Sequence, residues 1–431
     1  MADYDRIIAP NKLELTADEA KLAQQVVDAA SDPVPMPSSM AENFMHGMRS
    51  LFGARSTGDG VQWPPDDKAV DYHHLSPVAA PATANFTLRP EDIEFVLAAN
   101  RFEPHGKFKG QDAGPDEIIA LAVRGLSLGT KNGKPIFEIE EAKQIDVIDV
   151  RPNHRDFRCC VGFYRRTADP TARRLTLYAG STVPATAYMV AYRNNYLANP
   201  HGDYDKCNML PSGCYVCRVA SHHNDEIKPA LRMSSNDNLA KDAECTVVRT
   251  FNDLMYGTDD FWDECTPTDN VHCSYVTDLN SKWGAFFSSE GCVTVRGKPA
   301  RAGQPASDQW AKFQGVLDKI GQQRRCDLVL ITGRDLAIAA AHRAANPAAG
   351  PPTVPKELAR LRCGSHGEEV RRLVARLGMS DSDATYFGPV TRKALIDAQS
   401  SRRVPLDGIF SPTLDTLWGW NVFAGGKPPV A

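Results

Sequence analysis

The chain has 431 residues, 42% of them hydrophobic and 24% charged, a composition typical of globular domains. This length predicts two or three domains with sizeable cores. With 49 basic and 53 acidic residues the net charge is −4, which argues against nucleic-acid binding by the chain as a whole. No apolar run reaches the length of about eighteen residues that a membrane span needs, so no membrane association is expected.

Residues 1–85 are predicted to form a helical arm and a linker. A capping-box pattern begins at Thr16, and an apolar stripe at helical spacing continues from it to Ala30. A second short helix is expected over residues 44–52, before a stretch rich in Gly, Pro and Asp. The acidic start lacks the apolar segment of a signal peptide, which predicts synthesis in the cytoplasm. Such an arm is more often a docking segment or a tether than a catalytic part.

Residues 86–340 are predicted to be a globular, β-rich region. Helices are expected over residues 91–99, 116–123 and 308–320. Runs rich in β-branched residues predict strands at residues 145–150, 174–179, 187–191, 245–251, 292–296 and 327–332. These elements indicate a mostly antiparallel sheet with peripheral helices.

The C-terminal part reads as a stiff linker followed by a helical module. Residues 341–356 are rich in Ala and Pro, which predicts a semi-rigid spacer. Residues 357–420 repeat a turn-then-helix pattern, with Pro389 and Pro412 at first helical positions, and residues 421–431 form a tail. The stretch 356–403 carries ten basic and six acidic residues, so it would attract an anionic polymer such as a cell wall, although a solvated surface would carry the same charges.

The candidate catalytic residues lie around a cysteine near the middle of the chain. Cys292 ends the run Ser289-Glu290-Gly291-Cys292, and sixteen residues separate His272 from Ser289. A thiol nucleophile needs a base to form thiolate and backbone N–H groups to hold the oxyanion that follows its attack. Because Gly291 has no Cβ, the backbone beside Cys292 can approach a substrate carbonyl closely.

This arrangement resembles the YkuD-type L,D-transpeptidases of peptidoglycan, in which a His precedes a Ser/Thr-His-Gly-Cys motif. The chain departs from that pattern at Glu290, where the family carries His, and at Thr294, where Asn or Arg is usual. It is more similar to a divergent branch of phage and prophage proteins, and the resemblance spans roughly residues 170–335. The further residues that carry it are Gly213-Cys214-Tyr215, His222 and Ala230-Leu231-Arg232.

Residues 357–420 resemble the peptidoglycan-binding type 1 domain, a three-helix module that accompanies many wall hydrolases. Val374 and Ser411 depart from its usual residues. The two resemblances together imply an α+β multidomain protein, with a β-rich L,D-transpeptidase-like catalytic domain followed by a three-helix wall-binding domain. The second one implies wall contacts at Arg371, Arg392, Asp407 and Gly408.

The resemblance to L,D-transpeptidases also implies roles for the site residues. Cys292 would be the nucleophile, and His272 the base that makes its thiolate and later the acid for the leaving amine. Ser289, or alternatively Ser288, would orient His272, and backbone N–H groups around Gly291 and Cys292 would hold the oxyanion. His222 and Arg296 are further candidates. The substrate would be a peptidoglycan stem peptide, transpeptidation and carboxypeptidation both remain open, and neither a metal nor an organic cofactor is required.

Other interpretations remain open. The fold could be retained as a wall-binding structural part of a virion or tail-like particle with a decayed site, or the same chemistry could serve a periplasm-directed toxin. Delivery by a phage or an injection system, with the N-terminal arm binding its proteins, would bring a chain without a signal peptide to the wall. Cys207, Cys214 and Cys217, with His222 or His223, could bind zinc, but only one C-x-x-C pair is present, which favours buried thiols.

Overall fold

A computed structural model describes most of the chain from Thr83 to Phe423. The residues described are 83–150, 152, 157–185, 207–222, 226–249, 261–267, 269–275, 289–301, 303–347, 354–380 and 384–423. The predicted helices of the N-terminal arm, the predicted strand at 187–191, most of the Pro-rich stretch of the linker and Ser288 lie outside these residues.

Eighteen strands occur in the described residues. They are β1 (Asn85–Leu88), β2 (Glu117–Arg124), β3 (Leu126–Ser127), β4 (Thr130–Lys131), β5 (Lys134–Pro135), β6 (Glu138–Ala142), β7 (Ile145–Asp149), β8 (Cys159–Arg166), β9 (Arg174–Ser181), β10 (Asn208–Met209), β11 (Gly213–Tyr215), β12 (Cys217–His222), β13 (Ile227–Met233), β14 (Cys245–Arg249), β15 (Phe261–Cys265), β16 (Asn270–Cys273), β17 (Val293–Val295) and β18 (Leu328–Thr332).

The same residues form six α-helices and two short 3₁₀ turns. The α-helices are α1 (Pro90–Ala99), α2 (Asp308–Ile320), α3 (Gly333–Ala345), α4 (Glu368–Arg376), α5 (Pro389–Ser401) and α6 (Pro412–Trp418). No helix among the described residues combines the length and the apolar character that crossing a membrane requires.

A ten-stranded sheet organises the molecule. Its strands follow the order β11-β18-β2-β8-β9-β17-β16-β13-β12, and β6 pairs with β9 at the side of this path. Most pairs are antiparallel, whereas β2–β18 and β16–β17 are parallel. The sheet nearly closes on itself, because the backbone of Cys217 in β12 accepts a hydrogen bond from Cys326, just before β18. The predicted β-rich α+β class is therefore confirmed.

Strand β2 explains one wrong prediction. The sequence predicted a helix over residues 116–123, but Glu117–Arg124 is a central strand. Its side chains alternate between two core clusters, with Ala120 in one and Leu121 in the other. A strand buried on both faces has a continuous apolar run, and such a run lacks the alternation that distinguishes a strand from a buried helix.

Other predicted elements are found close to their expected bounds. The helices expected at 91–99 and 308–320 correspond to α1 and α2, and strands occupy five of the six predicted strand positions. The Ala230-Leu231-Arg232 run implied by the resemblance lies in β13, whereas helix α3 and the strands β8 and β12 had not been predicted, although β12 carries part of the candidate site.

The C-terminal helices pack on the sheet through a shared core. Helices α4, α5 and α6 begin close to the predicted turns, and most of their buried apolar residues belong to a cluster that also contains residues of the strands β11–β13. The buried guanidinium group of Arg362 donates to Asn100 Oδ1 at 2.7 Å and to Ser212 Oγ at 2.6 Å. A Cβ on Gly364 would lie 2.3 Å from the carbonyl oxygen of Cys214, so the two backbones touch. Residues 357–423 are thus built onto the β-rich region.

Candidate active site

Two histidines and a cysteine meet at one end of the sheet. His222 ends β12, His272 lies in β16, and Cys292 immediately precedes β17. One ligand-type atom from each of them lies within 4.8 Å of the other two, and among the described residues no other group of three His, Cys, Asp or Glu side chains is arranged to hold a metal ion. The predicted nucleophile and base are therefore adjacent, and His222 joins them.

Strand register explains the convergence. In the parallel pair β16–β17, Val271 lies opposite Val293, so the residues before them, Asn270 and Cys292, lie at the same edge of the sheet. Val271 belongs to the apolar core, and alternation turns His272 away from it. The His272 imidazole therefore lies on the same side of the sheet as Cys292.

His222 reaches the site from β12, two strands away. The pairing of β12 with β13 shifts register between Ala220 and His222, an irregularity of the kind that re-aims side chains near functional sites. The His222 ring stacks on the His272 ring, with centroids 4.4 Å apart and planes 13° from parallel. The Tyr275 ring lies 5.8 Å from that of His272 and adds an aromatic wall.

A backbone carbonyl fixes the tautomer of His272. Its Nδ1 lies 2.6 Å from the carbonyl oxygen of Cys273. A carbonyl oxygen can only accept a hydrogen bond, so Nδ1 carries the proton and Nε2 holds the lone pair of the neutral ring. A neutral imidazole held in this way is suited to take a proton at Nε2.

Asn270 holds the second histidine. Its side-chain amide lies 2.8 Å from Nδ1 of His222, and both residues are buried. The same alternation that directs His272 places Asn270 on its face of β16, two residues earlier. The sequence run Asn270-Val271-His272 contained this signal, but only the histidine had been singled out.

The thiol of Cys292 is neutral at rest. Burial is the main cause that raises its pKa well above the ordinary range, and the charge of Asp269 acts in the same direction. The backbone N–H groups of Asn270 and Cys292 oppose this shift by favouring the thiolate. Cys292 nevertheless keeps partial solvent exposure, as does Cys265, whereas the other nine cysteines are buried. Thiolate formation therefore requires a base beside the sulfur.

Asn208 and Asp269 support the loop that carries Cys292. The Asn208 side chain donates to the buried Asp269 carboxyl group, whose pKa burial raises to about 7. The backbone N–H of Asn208 donates to the carbonyl of Glu290 at 2.9 Å. A Cβ on Gly291 would lie 2.5 Å from the carbonyl oxygen of Asn208, so only glycine fits there without a shift. Sequence analysis had not identified Asn208 or Asp269, because nothing in their local pattern marks them.

Ser289 has a different place from the one expected. Its hydroxyl donates to the carbonyl of Cys292 at 2.8 Å and accepts from the N–H of Gly291 at 3.1 Å. These bonds shape the loop, and the carbonyl of Cys273 is the group that orients His272. The N–H of Gly291, expected in the oxyanion hole, is engaged by Ser289, so Gly291 serves here through its close approach to Asn208.

Arg296 lies farther along the same chain segment. Its guanidinium group bonds Asp308 at 3.0 Å and Gln309 at 2.7 Å, at the start of α2. It also stacks over the Phe137 ring at 4.4 Å. These contacts tie β17 to α2, and the group of three side chains around Cys292 does not include Arg296.

Three of the four predicted wall-contact residues lie inside the molecule. Arg392 is only 1% exposed and bonds the Tyr215 hydroxyl at 3.2 Å, while Asp407 is buried and accepts from Gln399. Gly408, also buried, has φ +64, a backbone conformation that favours glycine. Arg371 alone of the four is partly exposed, and it pairs with Glu368 at 2.6 Å.

The alternative zinc site at Cys207, Cys214 and Cys217 does not form such a group in the described residues. All three thiols are free and buried. Burial raises the pKa of each well above its ordinary range, which fits inert core cysteines. His223 lies outside the described residues.

Comparison with known proteins gives no relative for this chain: no protein-family model, curated protein or solved structure matches it.

Proposed function

We propose that the chain is a cysteine-dependent acyl-transfer enzyme of the L,D-transpeptidase type, acting on peptidoglycan stem peptides. The observation that carries the proposal is the adjacency of Cys292 and His272, with the tautomer of His272 fixed by the Cys273 carbonyl. A partly exposed thiol beside a histidine that another group orients has the arrangement of an activated nucleophile.

The first half-reaction forms a thioester. Nε2 of His272 takes the thiol proton as the Cys292 sulfur attacks the carbonyl carbon of the scissile peptide bond, which gives a tetrahedral intermediate. The intermediate collapses, the carbon–nitrogen bond breaks, and the imidazolium of His272 returns the proton to the departing amine. The acyl group remains on sulfur.

The second half-reaction releases the acyl group. His272 removes a proton from the acceptor, which attacks the thioester carbonyl, and the sulfur leaves and regains a proton from the imidazolium. A water acceptor gives carboxypeptidase activity, whereas an amine from a second stem peptide gives a cross-link. The proposal covers both acceptors.

The neighbouring groups favour this reaction without touching the substrate. The N–H groups of Asn270 and Cys292 stabilise the developing thiolate. The Ser289 bonds and the Gly291–Asn208 contact fix the loop, so the sulfur stays beside the base. Such positioning lowers the entropy cost of reaching a reactive geometry.

Targeting to the wall is assigned to the C-terminal helices. This part of the proposal rests on the turn-then-helix repeat and the basic residues of 356–403. Because Arg392, Asp407 and Gly408 are buried, the contacts would come from partly or fully exposed positions, of which Arg371 is a partly exposed one. Delivery through a phage or an injection system, with the arm binding its proteins, is the accompanying proposal for how the chain reaches the wall.

A wall-binding protein with a decayed active site is the second candidate. The observation that favours it is the raised pKa of Cys292, since a thiol held neutral by burial is also what an inert site would show. The two candidates differ in whether the sulfur reacts.

Mass spectrometry of defined muropeptides incubated with the full chain tests the proposal. We expect loss of a terminal residue or formation of a cross-link, and a covalent acyl adduct on Cys292. The variant Cys292→Ala should lose both, whereas Cys265→Ala, which removes the other partly exposed thiol, should keep them. Unchanged muropeptides and no adduct, together with binding to insoluble peptidoglycan, would favour the second candidate.

A further inference from the structure

The cluster of His222, His272 and Cys292 also has the composition of a metal site. It offers two imidazoles and one sulfur, the ligand types that Zn²⁺ prefers. The three atoms lie within 4.8 Å of one another. Around a tetrahedral zinc ion, ligand atoms at about 2.0–2.3 Å from the metal are roughly 3.3–3.8 Å apart. Side-chain movements of roughly 1 Å would therefore close the site.

Both imidazoles of the cluster have a neighbouring group within hydrogen-bond distance of Nδ1. Metal-binding histidines almost always engage their other ring nitrogen with a carbonyl, a carboxylate or water, which fixes the ring and its tautomer. His272 donates from Nδ1 to the carbonyl of Cys273 at 2.6 Å, and Nδ1 of His222 lies 2.8 Å from the amide of Asn270. His272 is thus held in the tautomer of a ligand that binds through Nε2, and Nδ1 of His222 is engaged by a neighbouring side chain.

The side chain of Asn270 gives independent support for a metal site. Its Oδ1 is buried and has no hydrogen-bond partner among the described residues, while its nitrogen faces His222. If the amide turns over, Oδ1 accepts a proton from Nδ1 of His222 and the Nε2 lone pair becomes available. Metal binding at His222 would thus satisfy the unpartnered oxygen of Asn270.

We propose that His222, His272 and Cys292 bind a borderline-soft divalent cation, with Zn²⁺ as the natural occupant and a solvent molecule at the fourth position. Binding replaces the sulfur–hydrogen bond of Cys292 with a sulfur–metal bond and releases one proton to solvent. The metal and an acyl group compete for the same sulfur, so the ion blocks acyl transfer. The site itself does not depend on the proposed function, whereas the inhibition does.

Cobalt(II) titration of the full-length, metal-free chain tests the site directly. We expect one equivalent to bind, with a thiolate-to-cobalt charge-transfer band and intense visible bands that indicate four-coordinate geometry. Cys292→Ser should abolish the charge-transfer band. His222→Gln and His272→Gln should weaken binding by more than about 100-fold, because loss of even an outer partner costs about 10- to 100-fold. Asn270→Ala should lower the affinity for cobalt by about 10- to 100-fold.

Matched variants separate this site from incidental binding. Cys265→Ser and His105→Gln remove a partly exposed thiol and an exposed imidazole elsewhere, and both should bind cobalt as the wild type does. Circular dichroism of each metal-free variant shows that it is folded. A charge-transfer band that survives in Cys292→Ser, or its absence in the wild type, would overturn the proposal.

Muropeptide assays with and without Zn²⁺ keep the two proposals apart. Activity of the chelated chain that is lost on stoichiometric Zn²⁺ and restored by chelator supports both. A cobalt spectrum without activity in the chelated chain leaves the metal site standing and counts against the cysteine mechanism. Activity without a cobalt–thiolate spectrum supports the cysteine mechanism and counts against the metal site.

Discussion

The imidazole of His222 stacks on that of His272, with centroids 4.4 Å apart. A backbone carbonyl holds Nδ1 of His272, whereas Nδ1 of His222 lies against the side-chain amide of Asn270. The two rings therefore differ in how firmly their tautomer is set. Under the proposed mechanism, this difference favours His272 for the proton transfer and gives His222 a supporting role.

Replacing the two histidines in turn tests that division. We expect His272→Gln to lower the rate of acyl-adduct formation at Cys292 by about 10²- to 10⁴-fold, the usual contribution of a positioned base. His222→Gln should lower this rate by a smaller factor, because it removes a neighbour of the base and not the base itself. Adduct formation followed by intact-protein mass spectrometry gives both rates. A larger loss in His222→Gln would reverse the assignment.

Gly291→Ala tests the contact between the cysteine loop and Asn208. A Cβ at this position would lie 2.5 Å from the Asn208 carbonyl oxygen, and a backbone atom cannot turn aside. We expect a destabilisation of about 1–3 kcal/mol, as overpacking usually causes. The acyl adduct should also form more slowly, because the shifted loop would move the Cys292 sulfur away from His272.

The control for this variant is Gly315→Ala, in the interior of α2. Nothing lies within 4 Å of a Cβ there, so the change should stabilise the helix by about 0.5–1 kcal/mol. Urea unfolding measures both variants. Equal stability of Gly291→Ala and the wild type would show that the loop does not need this close approach.

Asp269→Asn tests a pH dependence of stability. Burial raises the pKa of Asp269 from 3.8 to about 7, so the folded state binds a proton that the unfolded state releases at lower pH. The stabilisation is fully present below about pH 4 and is lost as the pH rises to about 7 and beyond. Relative to Asp269→Asn, the wild type should lose at most about 1.4 kcal/mol per pH unit across this window.

Unfolding free energies of both proteins at several pH values across the window provide the measurement. The difference between them isolates Asp269 from the other carboxyl groups, because those titrate in both proteins. Parallel curves would mean that Asp269 titrates alike in the folded and unfolded chains.

The sequence predicted the two central side chains of the candidate site because the motif that contains them is local. Cys292 and His272 could be found from a motif and a spacing, and α1 and α2 from proline and apolar periodicity. The approach of His222 depended on the register shift in β12, and the support from Asn208 on a contact across 83 positions to Gly291. Such non-local packing leaves little trace in the flanking residues.

Burial explains what the sequence misassigned. Arg392 and Asp407 are polar residues in a basic helical module, which favoured surface roles, but hydrogen bonds inside the molecule satisfy both. Ser289 precedes the nucleophile motif, yet its hydroxyl closes its own loop. Sequence position alone could not distinguish a surface contact from a satisfied core position.

Arg362 joins the C-terminal part of the chain to the β-rich region. Its guanidinium group is fully buried and joins Asn100, Ser212 and, at 3.4 Å, the carboxylate of Asp335. Arg362→Ala would remove the buried cation that these groups bind, so we expect the free energy of unfolding to fall by about 3–5 kcal/mol. The exposed Arg402→Ala is the control and should change stability by less than about 1 kcal/mol.

Because the C-terminal helices share a core with the sheet, we expect the part of the chain from residue 83 onward to unfold in one cooperative transition. Arg362→Ala should lower the midpoint temperature of that transition without dividing it into two. Calorimetry combined with hydrogen exchange on the C-terminal helices makes the measurement. Separate early melting of residues 357–420 in the wild type would instead show an independent domain that only rests against the sheet.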